Sequence, residues 1–466
     1  MCAAGRRGAG APPAEAQLLK TVSFATLGCR LNQVDTQQLQ ALLEARGFRT
    51  VDFDEPADVV VVNTCTVTAR AEFSDRQMIR RAARVSPGAK LVVTGCWAQT
   101  SPDEIAAMSE VALVVGNGDK ARLPDLLHMV GAGKTHVSAI AGARTVEIAP
   151  IARWHGRSRA FLKVQDGCQH RCAFCVVPFA RGSSRSLEPK VVLDQARLLV
   201  EAGHLEVVLT GVDLGHYGAD LVPRTTLAAL LRSLVELPGL RRIRLSSLLP
   251  AYFTAELVEV VTTSSVVAPH FHIPLQSGSA RVLRLMRRPY DPRMFRALVE
   301  RLIAARPGLG LGTDLIAGFP GETDADFAET MACVEELPFS YLHVFPYSPR
   351  KGTEATRLPG RLDSRTITRR SRALRDAGRA KSEEFRRRLV GRVEEALVLE
   401  TRDRATGGLV GLTGSYVEVV FSGSERLMRT LARVRVTDAH GDRALGELDV
   451  VGSRTAGHAA SEPWRR

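Results

Sequence analysis

The chain has 466 residues, of which 45% are hydrophobic and 24% are charged, a balance typical of a globular protein with two to four domains. No apolar run approaches the roughly 20 residues of a membrane span, and the opening segment lacks the apolar core of a secretory signal. We therefore expect a cytoplasmic protein that does not bind a membrane. The net charge of +13 suits a polyanionic partner such as nucleic acid.

Residues 1–19 are expected to form a disordered leader, and residues 20–130 a domain of alternating strands and helices. The runs VSFATLGC, DVVVVNTC and KLVVTGC are apolar and β-branched, and helical patterns separate them. Such alternation predicts a parallel sheet with helices on both faces, in three layers. Residues 131–157 contain Gly, Ala and Pro with little periodicity and are interpreted as a linker.

Residues 158–389 contain six further strand patterns, several of them separated by helices. Six β/α units are two short of a complete barrel, so an open, partial (β/α)6 barrel is expected. The segment 364–389 is a strongly basic helix. Residues 390–451 then alternate apolar and polar residues at period two, which predicts a small antiparallel β-barrel, followed by a disordered tail at 452–466. The fold class is therefore α/β with a C-terminal β-barrel.

Eight cysteines are too few for a disulfide scaffold and favour metal binding or free thiols. Cys168, Cys172 and Cys175 are spaced C-x3-C-x2-C directly after the first barrel strand. Three thiolates can hold three irons of a [4Fe–4S] cluster and leave the fourth iron open. The alternative is a structural zinc site that His170 completes.

Three other cysteines are far apart in the chain, but each of them follows a strand. Cys29, Cys65 and Cys96 end the segments FATLGC, VVNTC and VVTGC. The carboxyl ends of parallel strands share one edge of a sheet, so the three thiols should converge there. The remaining cysteines, Cys2 in the leader and Cys333 in a probable helix, are interpreted as free thiols.

These segments resemble the radical S-adenosylmethionine (SAM) methylthiotransferase family along nearly the whole chain. The matching segments are TLGCRLNQVDTQQ, VVNTCTVT, VTGCWAQ, DGCQHRCAFC, HIPLQSGS and DLIAGFPGET, and residues 390–451 are similar to a TRAM domain, an RNA-binding module. NTCTVT and TGCWAQ resemble the branch that acts on N6-threonylcarbamoyladenosine at position 37 of tRNA. The alternatives are isopentenyladenosine-37 of tRNA, a ribosomal protein aspartate, or a non-catalytic RNA-binding protein with two structural zinc sites.

The resemblance implies two [4Fe–4S] clusters and SAM as cofactors. Cys168, Cys172 and Cys175 would bind the SAM-cleaving cluster, and Cys29, Cys65 and Cys96 an auxiliary cluster that carries the sulfur. Other expected contacts to SAM are Phe174, Gly211, Asp213, Ser247, Asp314 and Ile316. His270 and His272 share a strand face and are interpreted as lining the interior rather than binding metal. The expected partners are tRNA and an unidentified electron donor, with the enzyme itself a monomer.

Overall fold

The computed structural model describes residues 20–127, 134–146, 149–151, 154 and 156–449. The predicted leader with Cys2 and the predicted tail from residue 452 lie outside these ranges. None of the described helices is long and apolar enough to cross a membrane.

The N-terminal part is a six-stranded, fully parallel sheet with helices. Its strands are β1 (Thr21–Thr26), β2 (Arg49–Thr50), β3 (Val59–Thr64), β4 (Lys90–Gly95), β5 (Leu113–Val115) and β6 (Lys134–His136), and its helices are α1 (Arg30–Glu44), α2 (Ala69–Val85), α3 (Cys96–Thr100), α4 (Pro102–Ala106) and α5 (Leu123–Leu126). The strand order is β2-β1-β3-β4-β5-β6. All six residues of β3 are buried, as expected of a β-branched strand that is covered on both faces.

This sheet extends further along the chain than the sequence predicts. Strand β6 lies within residues 131–157, which were interpreted as a linker, and pairs in parallel with β5. Ser138, just after β6, donates its backbone N–H to Asp119 at 2.7 Å. A strand of three residues is too short to show a period, which is why its sequence does not distinguish it from a loop.

The central part is an open barrel of parallel strands. Its elements are strands β7 (Arg159–Lys163), β8 (Gln165–Asp166), β9 (Arg185–Ser186), β10 (Glu206–Thr210), β11 (Arg242–Leu245), β12 (His270–His272), β13 (Gly310–Ala317) and β14 (Tyr341–Pro346), with helices α6 (Val177–Arg181), α7 (Pro189–Glu201), α8 (Leu227–Val235), α9 (Ala255–Thr263), α10 (Ala280–Leu285), α11 (Pro292–Ala305), α12 (Asp324–Glu336) and α13 (Ser364–Arg387).

The six barrel strands form two sheets, β11-β10-β7 and β12-β13-β14, while β8 and β9 form a separate short ribbon. A parallel bridge between Ile243 and Val267 joins the two sheets into one curved wall. Within the described part of the chain, no strand pairing closes the wall between β7 and β14. Helix α1 of the N-terminal part lies against β7 there, and its Asp35 contacts Lys163 at 2.7 Å. The predicted partial barrel is confirmed.

The C-terminal part is a closed five-stranded barrel. Its strands are β15 (Val393–Arg402), β16 (Leu409–Thr413), β17 (Glu418–Phe421), β18 (Leu431–His440) and β19 (Arg443–Leu448), in the order β15-β16-β17-β19-β18. Four strand pairs are antiparallel, as predicted, but β17 and β19 pair in parallel. The period-two pattern locates the strands without specifying this direction, because both directions bury alternate side chains.

The C-terminal barrel covers the N-terminal end of the central barrel. Tyr416, with φ of +72°, stacks on His270 at a ring distance of 4.5 Å. The guanidinium of Arg244, fully buried, donates to Glu206 at 2.9 Å and to the carbonyl oxygens of Gly414 and Thr413 at 2.9 and 3.1 Å. This contact is a charged and hydrogen-bonded interface, so the small barrel is an integral part of the structure.

We predict that Arg244→Met lowers the free energy of unfolding by about 3–5 kcal/mol, because it leaves the buried Glu206 carboxylate without its main partner. Urea denaturation of the full chain measures this change. Arg232→Met is the matched control: Arg232 is half exposed and pairs with the exposed Glu259, so its loss should change stability by less than about 0.5 kcal/mol. Equal effects of the two substitutions would contradict this account of the interface.

Candidate functional site

The first set of thiols lies at the carboxyl edge of the N-terminal sheet, as predicted. Cys29 follows β1, Cys65 follows β3 and Cys96 begins α3 at the end of β4. Gly28 has a φ of +94°, and a Cβ atom there would lie 2.9 Å from Sγ of Cys65. Only glycine allows this close approach of the Cys29 loop to Cys65.

The thiols of this set share one electrostatic environment. Burial, together with the neighbouring Cys96 and Cys29, raises the pKa of Cys65 to about 12. Burial also raises the pKa of Cys96, whereas the nearby Arg181 guanidinium lowers it. The amide nitrogen of Asn117 lies 3.9 Å from Sγ of Cys96. Thiolates at these positions therefore require a cation of high charge nearby.

The second set of thiols lies in the loop between β8 and α6, at the carboxyl end of the central barrel. Cys168, Cys172 and Cys175 line one cavity of about 440 Å³. The loop is held in place because Cys168 donates its backbone N–H to Gly182 at 2.9 Å, and Cys175 donates to the carbonyl of Cys172 at 3.0 Å. Active sites of β/α barrels lie at this end.

One arginine contacts this second set directly. Arg288 donates to Sγ of Cys172 at 3.0 Å and to the hydroxyl of Tyr290 at 2.9 Å. Burial, together with Cys172 and Cys96, raises the pKa of Cys175 to about 12. Because Cys96 belongs to the first set, the two sets of thiols are within electrostatic reach of each other.

The donor chemistry fits clusters better than it fits zinc. Each set offers three thiols, and Cys333, buried in the barrel core, is the only other cysteine of the described residues. The zinc alternative needs His170 as fourth ligand, but its Nε2 lies 2.6 Å from the Tyr252 hydroxyl and 3.3 Å from Asp213. Two three-thiol sites without a fourth protein ligand match iron–sulfur clusters that each have an open iron.

The residues expected to contact SAM fall into three groups. Phe174 and Ile316 belong to one apolar cluster beside the cysteine loop. Asp213 lies next to the second set, with Oδ2 3.8 Å from Sγ of Cys168. Gly211 lies against Gln165, whose side-chain oxygen accepts the backbone N–H of Asp213 at 2.8 Å.

The third group, Ser247 and Asp314, contacts His272. Oγ of Ser247 lies 2.6 Å from Nδ1 of His272, and Nε2 of His272 lies 3.1 Å from Oδ1 of Asp314. His270, two residues earlier in β12, is buried and stacks on the rings of both Tyr341 and Tyr416, so it lines the interior, as interpreted from the sequence.

Sequence reasoning missed a buried charged network between the N-terminal part and the central barrel. Arg181 donates to Asn32, Asp35 and Asp166 at 2.7–3.0 Å, and Asp35 also accepts from Lys120 and Lys163 at 2.7 Å each. The available signal was the polar pair Asn32 and Asp35 on a face of α1 that carries apolar residues elsewhere. We call these six residues the domain-interface network.

Comparisons with known proteins agree with this geometry. Residues 21–116 match the family described as Uncharacterized protein family UPF0004, and residues 162–334 match the Radical SAM superfamily. The solved structure of the radical SAM methyltransferase TsrM from Kitasatospora setae has a TM-score of 0.52 and 18% identity, and the match covers 70% of this chain and 72% of that one. This likeness supports the fold.

Three curated relatives extend the match over most of the chain. The threonylcarbamoyladenosine tRNA methylthiotransferase MtaB of Bacillus subtilis is 38% identical over 90% of this chain and 94% of its own length. The MtaB protein of Aquifex aeolicus is 39% identical, with 88% and 99% covered. The tRNA-2-methylthio-N(6)-dimethylallyladenosine synthase of Moorella thermoacetica is 34% identical, with 92% and 98% covered. The chain is therefore an enzyme of the radical SAM methylthiotransferase family, in the branch of the threonylcarbamoyladenosine tRNA methylthiotransferases.

Proposed function

We propose that this enzyme replaces the hydrogen at C2 of N6-threonylcarbamoyladenosine, at position 37 of tRNA, with a methylthio group. The observation that carries the proposal is the pair of three-thiol sites, which lie close together at the interface of two domains. The amide nitrogen of Asn117 lies 3.9 Å from Sγ of Cys96 and donates at 2.7 Å to the carbonyl of Ala180 in α6, the helix that follows Cys175. Cys96 of one site influences the pKa of Cys175 of the other. A reaction that joins sulfur to a carbon activated by a radical needs both sites beside one substrate.

We assign Cys168, Cys172 and Cys175 to the SAM-cleaving cluster, and Cys29, Cys65 and Cys96 to the auxiliary cluster. When bound, the SAM-cleaving cluster would supply the electron that cleaves SAM, and the auxiliary cluster would supply the sulfur. The surrounding protein orients SAM: the apolar surface of Phe174 and Ile316 suits an adenine ring, and the buried Asp213 carboxylate suits an ammonium group.

Arg288 is a positioning residue in this proposal. Its guanidinium is largely buried and donates to Sγ of Cys172, while its Nε donates to Tyr290. A cation that hydrogen-bonds a ligating thiolate stabilises the more negative, reduced form of a cluster. Arg288 thereby favours the redox state from which SAM is cleaved.

The tRNA substrate class follows from the family, and the basic surface of the chain supports it. Helix α13 presents a row of exposed arginines, Arg365, Arg369 and Arg372, and leads directly into the C-terminal barrel. Such a row suits a phosphate backbone. The relatives named for the threonylcarbamoyl nucleoside are 32–39% identical and the dimethylallyl relative is 34% identical. The relatives at 38–39% all carry the threonylcarbamoyl name, which favours that substrate.

The two cysteine sets should be separable by their iron content. Anaerobically reconstituted enzyme should hold about eight irons and eight sulfides per chain, and Ala substitution of either complete set should leave about four of each. The variant without Cys29, Cys65 and Cys96 should still cleave SAM but form no methylthio product. Cys333→Ala, a buried thiol outside both sets, is the control and should retain about eight irons. Stoichiometric zinc without sulfide in the wild type would refute the cluster assignment.

Arg288→Gln should lower the midpoint potential of the SAM-cleaving cluster on the order of 59 mV, the shift for a tenfold change in a one-electron equilibrium. Redox titration followed by electron paramagnetic resonance measures this potential. Arg296→Gln is the control, because Arg296 lies on α11, pairs with Glu336 and does not line the cavity of the cysteines. An unchanged potential in Arg288→Gln would exclude the proposed role.

The reaction itself is tested by mass spectrometry of nucleosides from tRNA treated with reconstituted enzyme, SAM and a reductant. Transcripts that carry N6-threonylcarbamoyladenosine at position 37 should gain one methylthio group. Transcripts that carry N6-isopentenyladenosine at the same position should remain unmodified. Modification of only the second transcript would reassign the enzyme to the other branch.

A further inference from the structure

Three side chains that offer metal ligands converge in the lumen of the central barrel, apart from the cysteines. His272 ends β12, Asp314 lies in β13 and His343 lies in β14. Asp314 and His343 are register partners, and His272 is paired with Gly312, two residues before Asp314. The ligand atoms of the three side chains all lie within 4.8 Å of one another. We call these residues the His–Asp–His group.

Two of the three distances between the ligand atoms already match those of a metal site. Oδ1 of Asp314 lies 3.1 Å from Nε2 of His272 and 3.2 Å from Nδ1 of His343. Ligands about 2.0–2.1 Å from a tetrahedral zinc ion are separated by about 3.3 Å. The remaining distance, between the ligand atoms of His272 and His343, is within 4.8 Å, and the side chain of His343 is 54% exposed.

The residues around the group hold one imidazole in a ligating orientation. Oγ of Ser247 lies 2.6 Å from Nδ1 of His272, which directs Nε2 towards Asp314. The ring of Tyr341 stacks on His272 at 5.9 Å and lies 5.1 Å from His343. A metal-ligating histidine commonly has its second ring nitrogen fixed by such a hydrogen bond.

We propose that His272, Asp314 and His343 bind a divalent transition metal ion in the barrel lumen. Two imidazoles and one carboxylate suit zinc or ferrous iron and leave coordination positions open. The side chain of His343 is partly exposed, so the open coordination positions would lie on the side of the ion that faces the solvent-accessible lumen. This changes the interpretation of His272 from a lining residue to a ligand, of Asp314 from a contact to SAM to a ligand, and of Ser247 from a contact to SAM to the partner that orients His272. His270 keeps its stacking role.

The open positions would accept an oxygen donor of the substrate. The carboxylate and hydroxyl of a threonylcarbamoyl group are hard oxygen ligands, which an isopentenyl group lacks. This part of the inference rests on the proposed function. It would make the metal ion a specificity determinant between the two nucleosides.

Zinc binding to the full-length, cluster-loaded chain tests the site. The enzyme is dialysed against a series of Zn²⁺ concentrations, and zinc and iron per chain are measured by elemental analysis. The wild type should take up about one zinc ion without loss of iron. His272→Ala, Asp314→Asn and His343→Ala should each weaken zinc binding more than about 100-fold, and Ser247→Ala about 10–100-fold. Unchanged iron in the variants shows that they are folded.

His440→Ala is the matched control, because His440 is exposed at the end of β18 in the C-terminal barrel. It should bind zinc like the wild type. Absence of zinc uptake by the wild type, or equal uptake by the wild type and the three ligand variants, would overturn the proposal, and the hydrogen bonds between these side chains would then be its complete explanation.

A failure of the metal site can be distinguished from a failure of the proposed function. Zinc uptake that depends on the His–Asp–His group, without a methylthiolated nucleoside, would refute the proposed reaction and leave the metal site standing. Methylthiolation of the threonylcarbamoyl transcript by a wild type that binds no zinc would refute the metal site and leave the reaction standing.

Discussion

The architecture of the active site depends on the charges buried between the N-terminal part and the central barrel. Asp35 of α1 accepts from Lys163 of β7, from Arg181 at the end of α6 and from Lys120. Burial alone would raise the pKa of Asp35, but these three cations hold it well below its ordinary value. Removing one partner from such a network typically costs about 3–5 kcal/mol, so the two parts are held in one defined orientation.

That orientation explains why the two cysteine sets lie close to each other. Each set lies at the carboxyl ends of parallel strands, which is where either sheet alone would bind a ligand. The domain-interface network brings these two edges together, and Asn117 reinforces the contact by donating to the carbonyl of Ala180 at 2.7 Å. Arg181 serves both purposes, because it belongs to the network and also lowers the pKa of Cys96. The contacts that join the two domains therefore also bring the two cysteine sets together.

Much of the fold and the positions of the cysteines along it could be predicted from the sequence, because local residue patterns encode them. The valine run of β3 and the spacing of Cys168, Cys172 and Cys175 are local signals, and the fold class that follows from such patterns is confirmed. Contacts between distant residues carry no such signal: Arg244 and Gly414 are 170 positions apart. The covering of the barrel by Tyr416 and the approach of His343 to Asp314 were invisible for that reason. The three-residue strand β6 was missed because it is too short to show periodicity.

The position of Tyr416 has a consequence for the order of events in catalysis. Because residues 413–416 contact the N-terminal end of the barrel, we expect a small molecule to reach the cavity of Cys168 and Cys175 from the opposite rim. A bulky RNA whose nucleoside enters at that rim would obstruct the same route. The cosubstrate would then have to bind before the RNA, and its fragments would leave only after the RNA has withdrawn. This compulsory kinetic order would be visible in product-inhibition patterns.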